Sequence, residues 1–194
     1  MKFEKLKFGK VTSTNDIAIK LIKKNKKKSG YIFADEQTKG RGTQGKKWIS
    51  NKGNLFSSIF FPLNKNYPTF AEFSIINPLI ISNVISFFCD KKDISIKWPN
   101  DVFVNKKKIC GILQEVIISN NKKFLIVGIG INIISSPNIN DKYKATNILV
   151  ETRKKPSINK IINLVINSYE NFFINLGSYD YTNFKKEAEL MAQN

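Results

Sequence analysis

Strands and helices follow one another in mixed order, paired asparagine-containing turns join late strands into a meander, and one long amphipathic helix closes the patterned region. These three observations predict an α+β fold rather than a doubly wound parallel sheet. With 194 residues at 42% hydrophobic content, the chain can bury one sizeable core, so one domain with at most a small appendage is expected.

Taken in order, a short strand from Lys5 to Phe8 leads to Thr12-Ser13-Thr14-Asn15, a run of N-cap residue types ahead of the apolar-rich segment Ile17 to Ile22. That predicts a helix ending near Asn25. Gly30 closes a lysine-rich turn, Tyr31 to Ala34 is a strand, and Leu55 to Phe61 is the next. Phe70 to Cys89 is helical in pattern, with Pro78 either kinking it or opening a second piece. Ile94 to Trp98 alternates with a period of two. After the turn Pro99-Asn100 come strands at Asp101 to Val104, Lys108 to Ile118 and Phe124 to Ile134, joined at Asn105-Lys106 and Asn120-Asn121, which suit tight turns. Ser135 to Lys144 is polar and aperiodic, expected to be a mobile loop. From Ile158 to Leu176 apolar residues recur at helical spacing between Pro156 and Gly177. Residues 178–194 are weakly helical in pattern, with no further strand.

Composition removes several function classes. The longest apolar stretch, Pro78 to Cys89, is too short and too polar for a membrane span, and the first residues carry no apolar export segment. Cys89 and Cys110 are the only cysteines and histidine is absent, which leaves no disulfide framework, zinc site or His-based nucleophile triad. A formal net charge of +17 points toward nucleic acid in general. Here, however, all but two of the 32 basic residues are lysines, a compositional bias that fills solvated faces and turns. Arg41 is informative against that background, because an arginine kept where lysine is the habit points to a use for guanidinium geometry.

Four polar clusters stand at element ends. The first is Ser13-Thr14-Asn15, which also reads as a plain helix cap. The second runs from Gln37 through Gly40-Arg41-Gly42-Thr43-Gln44-Gly45-Lys46-Lys47-Trp48. It nearly fits a dinucleotide fingerprint and a P-loop, both of which need a helix to start there. Asn51, Gly53 and Asn54 argue for a loop instead. The remaining readings are a mobile lid folding over an anion, with Arg41 as donor, and an ordinary surface loop. The third cluster is Lys97-Trp98-Pro99-Asn100-Asp101 with Lys108 and Gly111. Period two puts side chains 108, 110 and 112 on one face, and Lys108 there either reaches solvent or is a buried cation awaiting a carboxylate or phosphate. The fourth is Gly128-Ile129-Gly130-Ile131-Asn132, where two glycines clear one strand face for a flat ligand. Asn132 shares that face, with an amide suited to an adenine or a phosphate.

In the same order and at similar spacing, these clusters resemble those of the biotin–protein ligases, over roughly residues 5 to 177. Lys97-Trp98-Pro99-Asn100-Asp101 followed by Lys108-x-x-Gly111-Ile112-Leu113 is the most specific part. The resemblance implies a fold like class II aminoacyl-tRNA synthetases, a mixed, largely antiparallel sheet flanked by helices. It implies a catalytic domain over 1–177 and a tail over 178–194, without the family's usual small terminal β-barrel. The implied reaction uses biotin, ATP and Mg2+ to form biotinyl-5′-adenylate, then passes the acyl group to a lysine of a biotin carboxyl carrier protein such as that of acetyl-CoA carboxylase. Arg41, Lys108 and Asp101 would be catalytic. Ser13, Thr14, Asn15, Gln37, Gly40, Gly42, Thr43 and Gly111, with Arg41 and Lys108, would hold biotin. Lys97, Asn100, Gly130 and Asn132, again with Arg41, would hold ATP, with no protein-bound metal. A cytoplasmic chain without DNA or membrane partners is expected, a homodimer being allowed. Relatives often carry a second arginine where Thr43 stands, so weaker retention of the adenylate is expected here. The alternatives are a lipoate or octanoate ligase and a non-catalytic biotin-binding remnant.

Overall fold

The computed structural model describes residues 1–137 and 143–192. Its strands are β1 (Lys5–Val11), β2 (Gly30–Gln37), β3 (Leu55–Pro62), β4 (Ile94–Lys97), β5 (Asp101–Val104), β6 (Lys107–Ser119) and β7 (Lys122–Ile131). They form one sheet in the order β1-β2-β3-β7-β6-β5-β4. Only β1 and β2 run parallel, and every other neighbouring pair is antiparallel. The α+β expectation, with a mixed and largely antiparallel sheet, holds. The meander is set locally: Asn105, Lys106, Asn120 and Asn121 all have positive φ, the paired left-handed residues that match a two-residue hairpin turn to strand twist.

The two sheet faces are filled differently. On one, α2 (Phe70–Ile85) and α4 (Ile158–Ile174) pack against Leu55, Ile59 and Phe61 of β3 and Leu125, Val127, Ile129 and Ile131 of β7. Phe61, Phe73 and Phe173 meet there with ring centroids 4.9–5.4 Å apart along Phe61. On the other face, α1 (Thr14–Lys23) sets Ala18 and Ile22 on Ile32, Phe60 and Ile126. The odd residues of β7 thus enter the larger core. Its even residues face α1 until Gly128 and Gly130, where side chains stop and a cavity begins.

The segment expected to be helical from Phe70 to Cys89 is one helix that ends at Ile85 and runs through Pro78. Its start is fixed by a capping box in which Glu72 N donates to Thr69 Oγ1 and Thr69 N to Glu72 Oε2. Burial of this helix offsets the backbone hydrogen bond that a proline forfeits, since residues 76 to 82 are all buried. The loop expected over Ser135 to Lys144 falls partly on 138–142, outside the described residues. The short helix α3 (Ile148–Thr152) follows, and α5 (Tyr181–Leu190) packs on α2, where Ala188 meets Leu79.

Inside the larger core one polar chain ties helix to helix and to the sheet. Tyr169 Oη donates to Asn77 Oδ1 (2.9 Å), and Asn77 Nδ2 donates to Gln114 Oε1 (2.8 Å). Burial pushes the Tyr169 phenol well above its ordinary pKa, so it remains a donor. Tyr169→Phe is expected to destabilise the chain by about 1–3 kcal/mol, because it leaves the Asn77 carbonyl buried and unpaired. Urea unfolding measures this, and an unchanged midpoint would show that the bond contributes nothing.

Candidate functional site

The cavity exists because three strand positions lack side chains. Gly111 of β6 lies directly opposite Gly130 of β7, and Leu113 lies opposite Gly128. A Cβ at Gly130 would sit 2.4 Å from Trp48 Cε2, one at Gly111 2.6 Å from Trp48 Cζ3, and one at Gly128 2.5 Å from Asn15 Oδ1. The cleared face therefore first receives the protein's own indole and an amide from α1. The indole takes up part of the face that the glycines clear, while Gly111, Gly128 and Gly130 still line the remaining space beside it. That space, about 770 Å³, is of a size that takes a small molecule.

Trp48 is carried there by the segment Gly40–Trp48, which folds as a hairpin. Gly42 N donates to Lys46 O (2.7 Å), Trp48 N donates to Gly40 O (2.9 Å), and Arg41 bridges to Lys47. Its tip is a three-residue 3-10 turn, Thr43–Gly45, in which Gln44 and Gly45 have φ of 54° and 74°. No α-helix starts at this point, which excludes the dinucleotide and P-loop readings. Gly40 does not line the cavity; a Cβ there would sit 2.5 Å from Trp48 O, so its role is to let the two limbs approach.

Lys108 reaches the cavity through a β-bulge. Val102 pairs with Cys110 but Phe103 pairs with Lys108, so Ile109 is an extra residue on β6. Ile109 and Cys110 both enter the larger core, which turns Lys108 to the opposite side with Gly111. The expectation that 108, 110 and 112 share a face is wrong for this reason. Backbone bonds fix the position: Lys108 N donates to Lys144 O (2.9 Å) and Thr146 N to Lys108 O (2.8 Å). Lys108 Nζ lies 2.7 Å from Asp101 Oδ1. Burial holds the neighbouring Cys110 thiol well above its ordinary pKa, and Cys89 is pushed up to about 11, so neither supplies a thiolate nucleophile.

Ser13 takes the N-cap backbone of α1 but makes no side-chain cap bond. It lines the cavity with Thr14, Asn15 and Gln37, so the cluster is more than a cap. Gln37 Oε1 accepts from Thr14 N (2.8 Å), and Gln37 Nε2 donates to Ser50 Oγ (3.1 Å). Ser58 Oγ, buried on β3, bonds to Thr14 and Asn15. Asn132 also lines the cavity, 2% exposed; its Nδ2 donates to Thr146 O (3.0 Å), while Oδ1 has no protein partner. Asn100 Nδ2 donates to Ile112 O (3.3 Å) and lies 3.5 Å from Thr43 Oγ1.

Two expected site residues behave otherwise. Lys97 does not line the cavity; its Nζ sits 3.3 Å from the centroid of Tyr143, and Tyr143 forms the wall. Arg41 lines the cavity, but its guanidinium is spent on two carboxylates, Glu115 (2.8 and 2.9 Å) and Asp16 (2.9 Å). Sequence reasoning missed Glu115, Asp16, Ser58, Tyr143 and the packing of Trp48. For Glu115 the signal was present, since 111, 113 and 115 share a face by period two.

The profile of the Biotin/lipoate A/B protein ligase family matches residues 8–132. A Biotin--[acetyl-CoA-carboxylase] ligase of Paracoccus denitrificans is 31% identical over 131 residues, 66% of this chain and 54% of that protein. The Bifunctional ligase/repressor BirA of Bacillus subtilis is 31% identical over 134 residues, 66% of this chain and 40% of that protein. The chain thus spans about half the length of these relatives or less. Among solved structures, biotin protein ligase from Aquifex aeolicus in complex with biotin and ATP superposes with a TM-score of 0.81 at 30% identity, covering 97% of this chain and 78% of that one. The Leishmania major biotin protein ligase in complex with biotinyl-5-AMP gives 0.84 at 26% identity, covering 98% and 81%. The fold is the class II synthetase-like fold that these neighbours share.

Gly130→Ala is expected to displace the indole, exposing Trp48 and red-shifting its emission. Gly9→Ala, where nothing lies within 4 Å of the new Cβ, should leave the spectrum unchanged. Identical spectra for wild type and Gly130→Ala would contradict the packing of Trp48 on the glycines.

Proposed function

This chain belongs to the Biotin/lipoate A/B protein ligase family, and from that membership we propose that it is an ATP-dependent biotin–protein ligase. The observation that carries the reading is a lysine held at the edge of a glycine-cleared, indole-lined cavity, where two anions must meet. In the first step a biotin carboxylate oxygen attacks the α-phosphorus of ATP, and the bond to the β-phosphate oxygen breaks. Biotinyl-5′-adenylate forms and pyrophosphate leaves with the electron pair. In the second, the amine of an acceptor lysine on a biotin carboxyl carrier domain attacks the acyl carbon. AMP departs and the amine loses its proton.

Lys108 is the fixed cation for this junction, stabilising negative charge as carboxylate and phosphate close on each other. Asp101 holds its ammonium in place and is positioned to orient or deprotonate the incoming amine. Ser13, Thr14, Asn15 and Gln37 present hydroxyl and amide groups suited to a ureido ring, while Gly42, Thr43 and Gly111 border the acyl chain. Asn132, with a buried carbonyl oxygen lacking a protein partner, is suited to the adenine amino group, and Gly130 and Asn100 line the same cavity. Lys97 would contribute only through Tyr143. For Arg41 to meet a ligand anion, its guanidinium must first give up carboxylate partners.

Mg2+ is proposed to arrive with the triphosphate, as a hard cation bound chiefly through substrate phosphates. Among the described residues Asp101 is the one carboxylate lining the cavity, a donor set that suits a transient companion of ATP. Residues 1–177 are taken as the catalytic unit and 178–194 as an appended segment. The proposal includes a cytoplasmic location and no DNA or membrane partner, with homodimerisation allowed. Among the described residues no helix is long and apolar enough to cross a membrane.

The direct test incubates the chain with ATP, magnesium, an apo carrier domain and either biotin or lipoate, then weighs the carrier. A mass gain with biotin is expected. A gain with lipoate alone reassigns the substrate, and none with either acid, at concentrations that bind biotin, makes the chain a non-catalytic binder. Lys108→Ala should slow pyrophosphate release on the order of 100-fold, the scale of one lost transition-state donor; a wild-type rate removes Lys108 from the mechanism. Thr43→Arg should release biotinyl-adenylate more slowly than the natural chain, and equal release refutes the idea that Thr43 weakens retention.

A further inference from the structure

Arg41 binds in a way that a spare cation would not. Nη1 and Nη2 fork onto the two oxygens of Glu115 at 2.8 and 2.9 Å, and Nη2 also donates to Asp16 Oδ1 at 2.9 Å. Isolated surface ion pairs contribute little. This one differs in three respects. It is bidentate, which fixes orientation as well as distance. Its members are partly shielded, with side-chain exposures of 39% for Arg41, 24% for Glu115 and 34% for Asp16. It also belongs to a longer path, since Glu115 Oε2 accepts from Asn15 Nδ2 (2.6 Å) and Asn15 Oδ1 accepts from Ser58.

That path starts on β3, crosses the cavity floor at Asn15, continues on β6 and ends on the first limb of the hairpin. Several of the hairpin's other contacts are of a different kind. Its backbone bonds close it on itself, Trp48 rests on glycines with Lys108 Nζ 5.6 Å from its ring centroid, and Asn100 reaches Thr43 only at 3.5 Å. One cation between two carboxylates leaves the group with a net charge of −1, so it does not attract a ligand anion. Its geometry serves to hold backbone.

We infer that Glu115 and Asp16 are positioning residues of this site: they form a carboxylate latch that, through Arg41, holds the Gly40–Trp48 hairpin over the cavity and couples it to Asn15 beneath. The latch is a property of the free chain. Only its consequence for turnover, namely that loosening the hairpin lets the reactive adenylate escape, rests on the ligase reading.

Amide hydrogen exchange on the ligand-free chain tests it. Glu115→Gln and Asp16→Asn each remove a charge while keeping shape, and the amides of Gly42 and Trp48 are compared with those of Val127 and Ile129 in β7. Glu115→Gln should speed exchange at Gly42 and Trp48 about tenfold, Asp16→Asn less, and the β7 amides should not respond. In a Trp98→Phe background, iodide should quench Trp48 emission more strongly in Glu115→Gln than in its parent. Wild-type exchange at both hairpin amides in both variants overturns the latch. So does an equal acceleration in β7, which is global destabilisation. If the hairpin loosens as expected while the natural chain makes no biotinyl-adenylate, the latch stands and the ligase reading falls. If adenylate forms but the hairpin amides do not respond, the ligase reading stands and the latch falls.

Discussion

Gly111 and Gly130 face each other across β6 and β7, and the rest of the site depends on that paired absence of side chains. A glycine inside a strand costs roughly 0.5–1 kcal/mol relative to alanine, and two cross-strand glycines also forfeit the side-chain pairing that stabilises sheets. The compensation lies on the opposite face, where Ile109, Cys110, Ile112, Ile129 and Ile131 enter the core beneath α2 and α4. One strand pair thus has a closely packed face and a bare one. Only the bare face lets an indole lie flat on the backbone, and Trp48 in turn brings its hairpin down over the cavity.

Charge at the site is arranged on the same principle, with Lys108 and Arg41 each beside a carboxylate. Lys108 is held at 2.7 Å from Asp101, and Arg41 is divided between Glu115 and Asp16. A lysine-rich chain with a net charge of +17 does not lack cations. What it requires is cations whose positions are fixed before any ligand arrives, because preorganised charge needs no rearrangement at the moment of reaction. The two pairs divide the work by geometry. A point-charge ammonium beside one carboxylate can be shared with an incoming anion, whereas a bidentate guanidinium is better suited to holding backbone.

The parts of this arrangement legible in the sequence are those set by local rules. The two-residue strand turns require left-handed backbone, which asparagine tolerates, and so give the meander, and the spacing of Ile161, Val165 and Tyr169 gives α4. The glycines of β6 and β7 mark a cleared face. What is not legible depends on contacts between distant segments or on a single irregular residue. The extra residue at Ile109 reverses the side on which Lys108 emerges, and no period-two reading anticipates it. Trp48 meets Gly111 and Gly130 across 63 and 82 positions of sequence, so its packing was hidden. The commitment of Arg41 to Glu115, 74 residues away, was hidden in the same way, although the face of Glu115 follows from Gly111. Pro78 inside α2 is a case where burial overrides a local rule.

The central claim is that the glycine-cleared face beneath the hairpin is where an acyl-adenylate forms beside Lys108. Its most direct test is a crystal structure of the chain grown with biotinyl-5′-adenylate. Density is expected in the cavity beside Trp48, bordered by the hairpin and the glycine-bearing strands, with Lys108 Nζ about 3 Å from an acyl or phosphate oxygen. Ligand bound elsewhere, or bound there with Lys108 still on Asp101 and touching no ligand oxygen, would contradict it.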